Sequence, residues 1–233
     1  MPQTTASSAH SKTALPRGAS FAAGMSLAMA TLVLIGLGSV SHAASETDIS
    51  EEEAAYRRAI ADRASRIVSA LRLDEADVEQ RVTTLVADQY RALRDEHDSR
   101  DSSLEEADGE EKRVVRLESD RRVMELHRRF VARLSTELDA DGVVGVKNGM
   151  TYGVVPITLA AYHRLLPDLS EEQRRTLRAH LTEAREYAMD AGSSKEKHGW
   201  FGKYKGRINN YLSAEGYDLK QAERDLAARS SQE

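Results

Sequence analysis

Between Lys195 and Arg207 the chain carries five bases and one acid, interleaved with Trp200, Phe201 and Tyr204, although its overall formal net charge is −5. Of the 11 aromatic residues after position 43, six (Tyr187, Trp200, Phe201, Tyr204, Tyr211 and Tyr217) fall in this neighbourhood. Cations beside aromatic rings suit a sugar. Pyranose C–H faces stack on indole or phenol rings, and sugar hydroxyls exchange hydrogen bonds with amides and charged groups. Trp200, Tyr204 and Tyr211 are the candidate platform, with Asn209, Asn210, His198 and Glu183 as hydrogen-bonding partners. Lys203 and Arg207 would favour an anionic sugar such as a uronate.

A helical wheel over residues 197–212 separates these roles. Trp200, Phe201, Tyr204, Ile208, Tyr211 and Leu212 share one arc, and Lys203 and Arg207 border it. Gly199, Gly202, Gly206, Asn209, Asn210 and His198 fill the rest. The same arc also describes a core-facing stripe, which is the bland reading of Phe201, Tyr204 and Tyr211. Trp200 and Arg207, at its edge, are expected at the surface. Three interior glycines weaken a helix by about 3 kcal/mol. Either another helix or a ligand approaches that backbone closely, or residues 191–202 form a structured loop and the helix begins near Lys203.

Two further function classes fit the same residues. In a lyase or hydrolase, Tyr204 or His198 would act as base while Lys203 or Arg207 neutralised a uronate carboxylate. Glu183 and Asp190, two helical turns and about 10 Å apart, are too distant for a retaining glycosidase pair and marginal for an inverting one. A non-catalytic helical interaction module would instead use the glycine-lined face to dock a partner. The discriminator is whether Gly199, Gly202 and Gly206 are covered by the chain itself.

Asp95, His97, Asp98 and Asp101 have spacing that could chelate a divalent cation, but they equally describe a solvated helix end, and no metal site is assigned. His127, on an apolar helical stripe, reads as a hydrogen-bonded core histidine. No Walker loop, dinucleotide glycine pattern, nucleophile elbow or His-Glu-x-x-His sequence occurs, and no cofactor is expected. The mild acidity lacks the basic footprint of a nucleic-acid binder.

The elements that must position these groups are helical. Tyr56, Ile60, Ala64, Ile67, Val68 and Leu71 recur at three and four residue steps behind a Ser50-x-x-Glu53 capping box. A second stripe follows Asp74 from Val78 to Leu93, and a third runs through Leu117, Met124, His127, Val131, Leu134 and Leu138. Pro156 suits the first turn of a short helix, and Ser170-x-x-Gln173 caps another carrying Leu177, Leu181, Ala184 and Ala188 inward. The pattern predicts an all-α bundle of about six helices. Residues 142–155 hold four glycines and an Asn148-Gly149 pair between β-branched runs, which predicts a turn or short hairpin. The stretch from Asp95 to Glu111, with nine acids against Arg100 alone, predicts an exposed helix end and a solvated linker.

Residues 1–43 stand apart. Lys12 and Arg17 precede an uncharged run from Phe21 to Leu37, and Ser41 and Ala43 form a small-x-small site. This predicts a signal peptide cut after Ala43, an exported protein that is periplasmic or secreted, and a single helical domain over residues 44–233. A retained anchor is the competing reading, but the run of 17 residues falls short of the roughly 20 that span a bilayer, so no stable membrane anchor is expected after cleavage. With no cysteine there is no disulfide framework.

The run Glu183-Ala-Arg-Glu-Tyr-Ala-Met-Asp190, then Ser193-Ser194-Lys195, Lys197-His198 and Trp200-Phe-Gly-Lys-Tyr-Lys-Gly-Arg-Ile-Asn-Asn-Tyr-Leu212, closely resembles the C-terminal signature of an exported bacterial family catalogued as domain of unknown function 3826. Met150-Thr-Tyr-Gly-Val-Val-Pro156 resembles a second signature, and the likeness spans most of the chain after residue 43. The resemblance implies a helical, signal-bearing protein with a sugar-binding assignment and no catalytic residues to carry over. Where relatives tend to show a Pro-Glu-Gln type helix start, this chain has Ala140-Asp141-Gly142.

Overall fold

The computed structural model describes residues 43–230, with side chains over residues 51–229. The expected signal peptide, apart from Ala43, lies outside the described residues. Among those described there are eight α-helices and no strand: α1 (Ala43–Ser69), α2 (Ala76–Glu106), α3 (Gly109–Glu137), α4 (Ala140–Met150), α5 (Val154–Leu165), α6 (Glu171–Met189), α7 (Ser194–Ala214) and α8 (Leu219–Ser230). The all-α class holds, but the count of about six is too low. None of these helices is long and apolar enough to cross a membrane.

Two apolar clusters organise the helices. In the first, Ile60, Ala64 and Val68 of α1 pack with Val82 and Val86 of α2, Phe130 and Leu134 of α3, Val146 and Met150 of α4, and Met189 from the end of α6. In the second, Val155, Leu159 and Tyr162 of α5 meet Leu177, Leu181 and Ala184 of α6 and Phe201, Tyr204, Ile208 and Leu212 of α7. Burying each of the larger side chains is worth roughly 2 kcal/mol. Both helices of the α6–α7 pair begin in full capping boxes, Ser170 with Gln173 and Ser193 with Glu196. Their adjoining ends are tied by Lys197, whose buried Nζ donates to the carbonyls of Ala188 (3.1 Å) and Met189 (3.0 Å).

The expected hairpin over residues 142–155 is instead α4 followed by a tight turn at Thr151–Gly153. The Asn-Gly signal is overridden because the glycines serve helix packing. A Cβ on Gly149 would stand 2.6 Å from Ile67 Cγ2, and one on Gly145 would collide with Leu71. Asp139 starts the helix by accepting from the Gly142 amide at 2.8 Å, so the missing Pro-Glu-Gln start is replaced by an ordinary N-cap.

The acidic stretch is largely an exposed helix end, as expected, but the linker is shorter than expected. Residues 95–106 continue α2 and residues 109–111 begin α3, leaving Ala107 and Asp108 as the whole connection. Pairing with bases lets so acidic a stretch remain helical: Arg94 reaches Asp98, Arg100 reaches Asp101, and Arg122 of α3 bridges to Glu96 at 2.8 Å. The third stripe is only half right, since Leu117 and Met124 are 61% and 57% exposed.

Candidate functional site

The helix α7 is continuous from Ser194, so of the two alternatives a structured loop over residues 191–202 is the one that does not form. Among the described residues no neighbouring atom lies within 4 Å of where a Cβ would stand on Gly199, Gly202 or Gly206, so none of them covers the glycine face. The capping box and the burial of Phe201, Tyr204, Ile208 and Leu212 outweigh the glycine cost.

The nine sequence candidates do not converge. Trp200 is half-buried and stacks on Tyr187 of α6, with centroids 4.6 Å apart and planes at 16°, while Lys203 Nζ sits 4.9 Å from its ring. Tyr204 is core, only 2% exposed, with the Arg207 guanidinium 4.4 Å from its ring centroid. Burial, and then a hydrogen bond with Glu183, pushes the Tyr204 hydroxyl above its ordinary pKa, which makes it a poor base. Asn209 accepts a hydrogen bond from Tyr162 at 2.6 Å, and Tyr211 packs against the second cluster. Asn210 is exposed. His198 donates from Nδ1 to the Ser194 carbonyl at 2.7 Å and stacks on Tyr152, 5.6 Å between centroids. Glu183 and Asp190 face different partners and are not an acid pair.

Trp200 does line a groove, together with Tyr187 and the exposed apolar side chains Leu117 and Met124 of α3. Its volume is about 570 Å³, and Arg100, Asp120, Asp190 and Glu196 supply polar atoms. Tyr187, 49% exposed, is the more accessible ring of the stacked pair. Asp190, 8% exposed, leaves its Oδ1 buried with no hydrogen-bond partner. His97 is turned into the protein: its Nε2 donates to the Asp190 carbonyl at 2.8 Å and its Nδ1 faces Arg100 at 3.0 Å. Gly192 permits this approach, because a Cβ there would stand 3.0 Å from the imidazole. Among the described residues no three His, Cys, Asp or Glu side chains are grouped to hold a metal ion.

Next to the groove, and sharing Met124, Tyr187 and Asp190 with it, a cavity of about 310 Å³ is lined by His127 and Glu186. His127 is no ordinary core histidine. Its Nδ1 lies 2.6 Å from Asp190 Oδ2 and its Nε2 3.4 Å from Glu186 Oε2. The hydrogen bonds to Asp190, then to Glu186, raise its pKa from 6.5 to about 9. Burial pushes the Glu186 carboxyl up, but hydrogen bonds from His127, Lys147 and Arg185 outweigh it and hold that pKa down at about 2. Lys147 Nζ is 2.6 Å from Glu186 Oε2, and buried Arg185 bridges Glu186 Oε1 (3.0 Å) to Asn148 Oδ1 (3.1 Å). Sequence spacing does not show this network, because its members come from α3, α4 and α6. The one available signal was a histidine on an apolar stripe.

Comparison with curated proteins finds no match. Residues 57–231 match the family described as Protein of unknown function (DUF3826), which takes in the two signature segments, α2 to α8 entirely and the C-terminal half of α1. The chain belongs to the DUF3826 family.

Proposed function

We propose that this protein binds a carbohydrate in the groove between α3 and the α6–α7 pair, with an acidic saccharide as the preferred ligand. The observation that carries the reading is the stacked Tyr187–Trp200 pair beside the buried, unpartnered Asp190 Oδ1. An aromatic face meets the C–H side of a pyranose, and a carboxylate oxygen without a partner accepts from a sugar hydroxyl. Lys203 beside Trp200, and Arg100 on the groove wall, are the cations that would meet a uronate, against Asp120, Asp190 and Glu196 on the same wall. The basic, then apolar, then small-residue pattern of residues 1–43 supports export to the periplasm or beyond.

A second reading, catalysis, draws on His127. A histidine oriented by Asp190 and facing a cavity is the arrangement of a general acid or base. The clamp by two carboxylates makes it a reluctant proton donor near neutral pH, which favours binding over turnover.

Trp200 is the only tryptophan, so its fluorescence reports on the groove. Titration with neutral and uronate-containing oligosaccharides is expected to give a saturable change, and Tyr187→Ala to weaken binding about tenfold through loss of stacking. An unchanged spectrum together with no heat by calorimetry overturns the proposal. Product analysis after incubation separates binding from lyase or hydrolase activity.

A further inference from the structure

A separate cavity of about 580 Å³ opens between α1 and α4. Its polar side chains are Arg63 and Arg66 of α1, Tyr90 of α2, Asn148 of α4 and Tyr152 of the α4–α5 turn, and no carboxylate lines it. Some arginines of the described residues are paired with acids, as Arg57, Arg81, Arg94 and Arg122 are, and others stand unpaired on the surface; Arg63 and Arg66 differ from the latter in lining a cavity together. Neither Arg63 nor Arg66 has an ion pair among the described residues, although the overall charge is negative. Three residues apart on a helix, they project from the same face.

The remaining groups are donors as well. The Asn148 Oδ1 is taken by Arg185 at 3.1 Å, which leaves the amide Nδ2 to donate. Burial pushes the Tyr90 hydroxyl up to about 12, so it keeps its proton. Arg63 lies 5.5 Å and Lys197 Nζ 5.9 Å from the Tyr90 ring, which adds positive potential. Tyr152 adopts a left-handed backbone, φ 58°, which costs a non-glycine residue about 1 kcal/mol or more. That conformation presents a ring 46% exposed to solvent. Two guanidinium groups with no carboxylate among them, set beside hydroxyl, amide, aromatic and aliphatic surface, match the chemistry of an anion attached to a small organic body.

We propose that the cavity bounded by Arg63, Arg66, Asn148 and Tyr152 binds an oxyanion, a carboxylate, sulfate or phosphate borne by a small polar molecule. The two guanidinium groups form its charged hydrogen bonds, and Asn148 and the tyrosine hydroxyls complete the donor set. This site is distinct from the groove at Trp200, and it stands or falls independently of carbohydrate binding there.

The test is a nuclear magnetic resonance titration of the purified protein that follows the Nε–H signals of Arg63 and Arg66 and the Nδ2 signals of Asn148. Sodium glucuronate, sulfate and inorganic phosphate are the probes, with chloride at matched ionic strength and neutral glucose as controls. The expected result is a saturable shift with at least one oxyanion and none with the controls. The double variant Arg63→Gln, Arg66→Gln should weaken it at least tenfold, and Trp200→Ala should leave it unchanged. The tightest of the three probes identifies whether the ligand is carboxylated, sulfated or phosphorylated. Shifts that follow ionic strength alone, absence of saturation with all three probes, or equal binding by a folded double variant overturns the proposal. Both arginines are exposed, and the single variant Arg66→Gln serves as the folded comparison should the double variant lose structure.

Discussion

Replacing His127 by Gln tests the charged network under the groove through its pH dependence. The pKa of His127 is raised in the folded protein, so the native state holds the proton more tightly than the unfolded chain does. The stabilisation is therefore fully present below 6.5 and is lost as pH climbs through about 9. At about 1.4 kcal/mol per tenfold change in proton affinity, the gap amounts to about 3 kcal/mol at most. Seen from Glu186, whose pKa is lowered, the same contacts are present above 4.5 and lost as pH falls towards about 2. Lys197 acts in the opposite direction: burial lowers its pKa to about 8, so stability is regained as pH rises from about 8 to 10.5. Comparing His127→Gln with the parent at each pH cancels the Lys197 contribution. Urea unfolding should find the variant less stable by up to about 3 kcal/mol at about pH 6, and the deficit should close above about pH 9. In thermal unfolding that is roughly 6–12 °C for a domain of this size. A deficit that stays constant across the range would refute the argument, because it would show His127 contributing by packing alone.

Gly149→Ala should destabilise the protein by about 1–2 kcal/mol, since the branched Ile67 side chain cannot withdraw from the new methyl; denaturant midpoints measure it. Gly145→Ala should cost less, because only the flexible end of Leu71 stands in the way. Gly202→Ala and Gly206→Ala face open space on α7 and should each raise stability by up to about 1 kcal/mol by helix propensity, readable as a higher melting temperature. Lys197→Met would leave the carbonyls of Ala188 and Met189 without their buried donor and should lower stability by about 1–3 kcal/mol. An unchanged melting temperature for that variant would show the tie between α6 and α7 to be dispensable.

Local signals were readable wherever one helix contains the whole cause. The Ser170–Gln173 capping box and the inward face of Leu177, Leu181, Ala184 and Ala188 follow from spacing alone, whereas the arc of Trp200, Phe201 and Tyr204 fitted a ligand platform and a core stripe equally until packing buried Phe201 and Tyr204. Reading failed where a residue answers to a neighbour distant in sequence. Asn148 and Gly149 look like a hairpin until Ile67 of α1 is packed against them, and the acids between Asp95 and Glu111 look like a linker until Arg122 of α3 lies beside Glu96. Leu117 and Met124 keep the helical period of α3 but line a groove open to solvent.

The candidate site divides in the same way. Composition singled out the aromatic, basic stretch of α7, and with it Trp200 and Lys203. Tyr187, His127 and Asp190 meet there because α3, α6 and α7 pack together, and the cavity at Arg63 and Arg66 exists because α1 and α4 do. Hydrophobic period and capping are properties of neighbouring residues, so the sequence by itself determined the all-α class and most of its helices. Which side chains share a cavity, and which charges find partners, depends on distances between segments far apart along the chain, and the tertiary structure alone decided it.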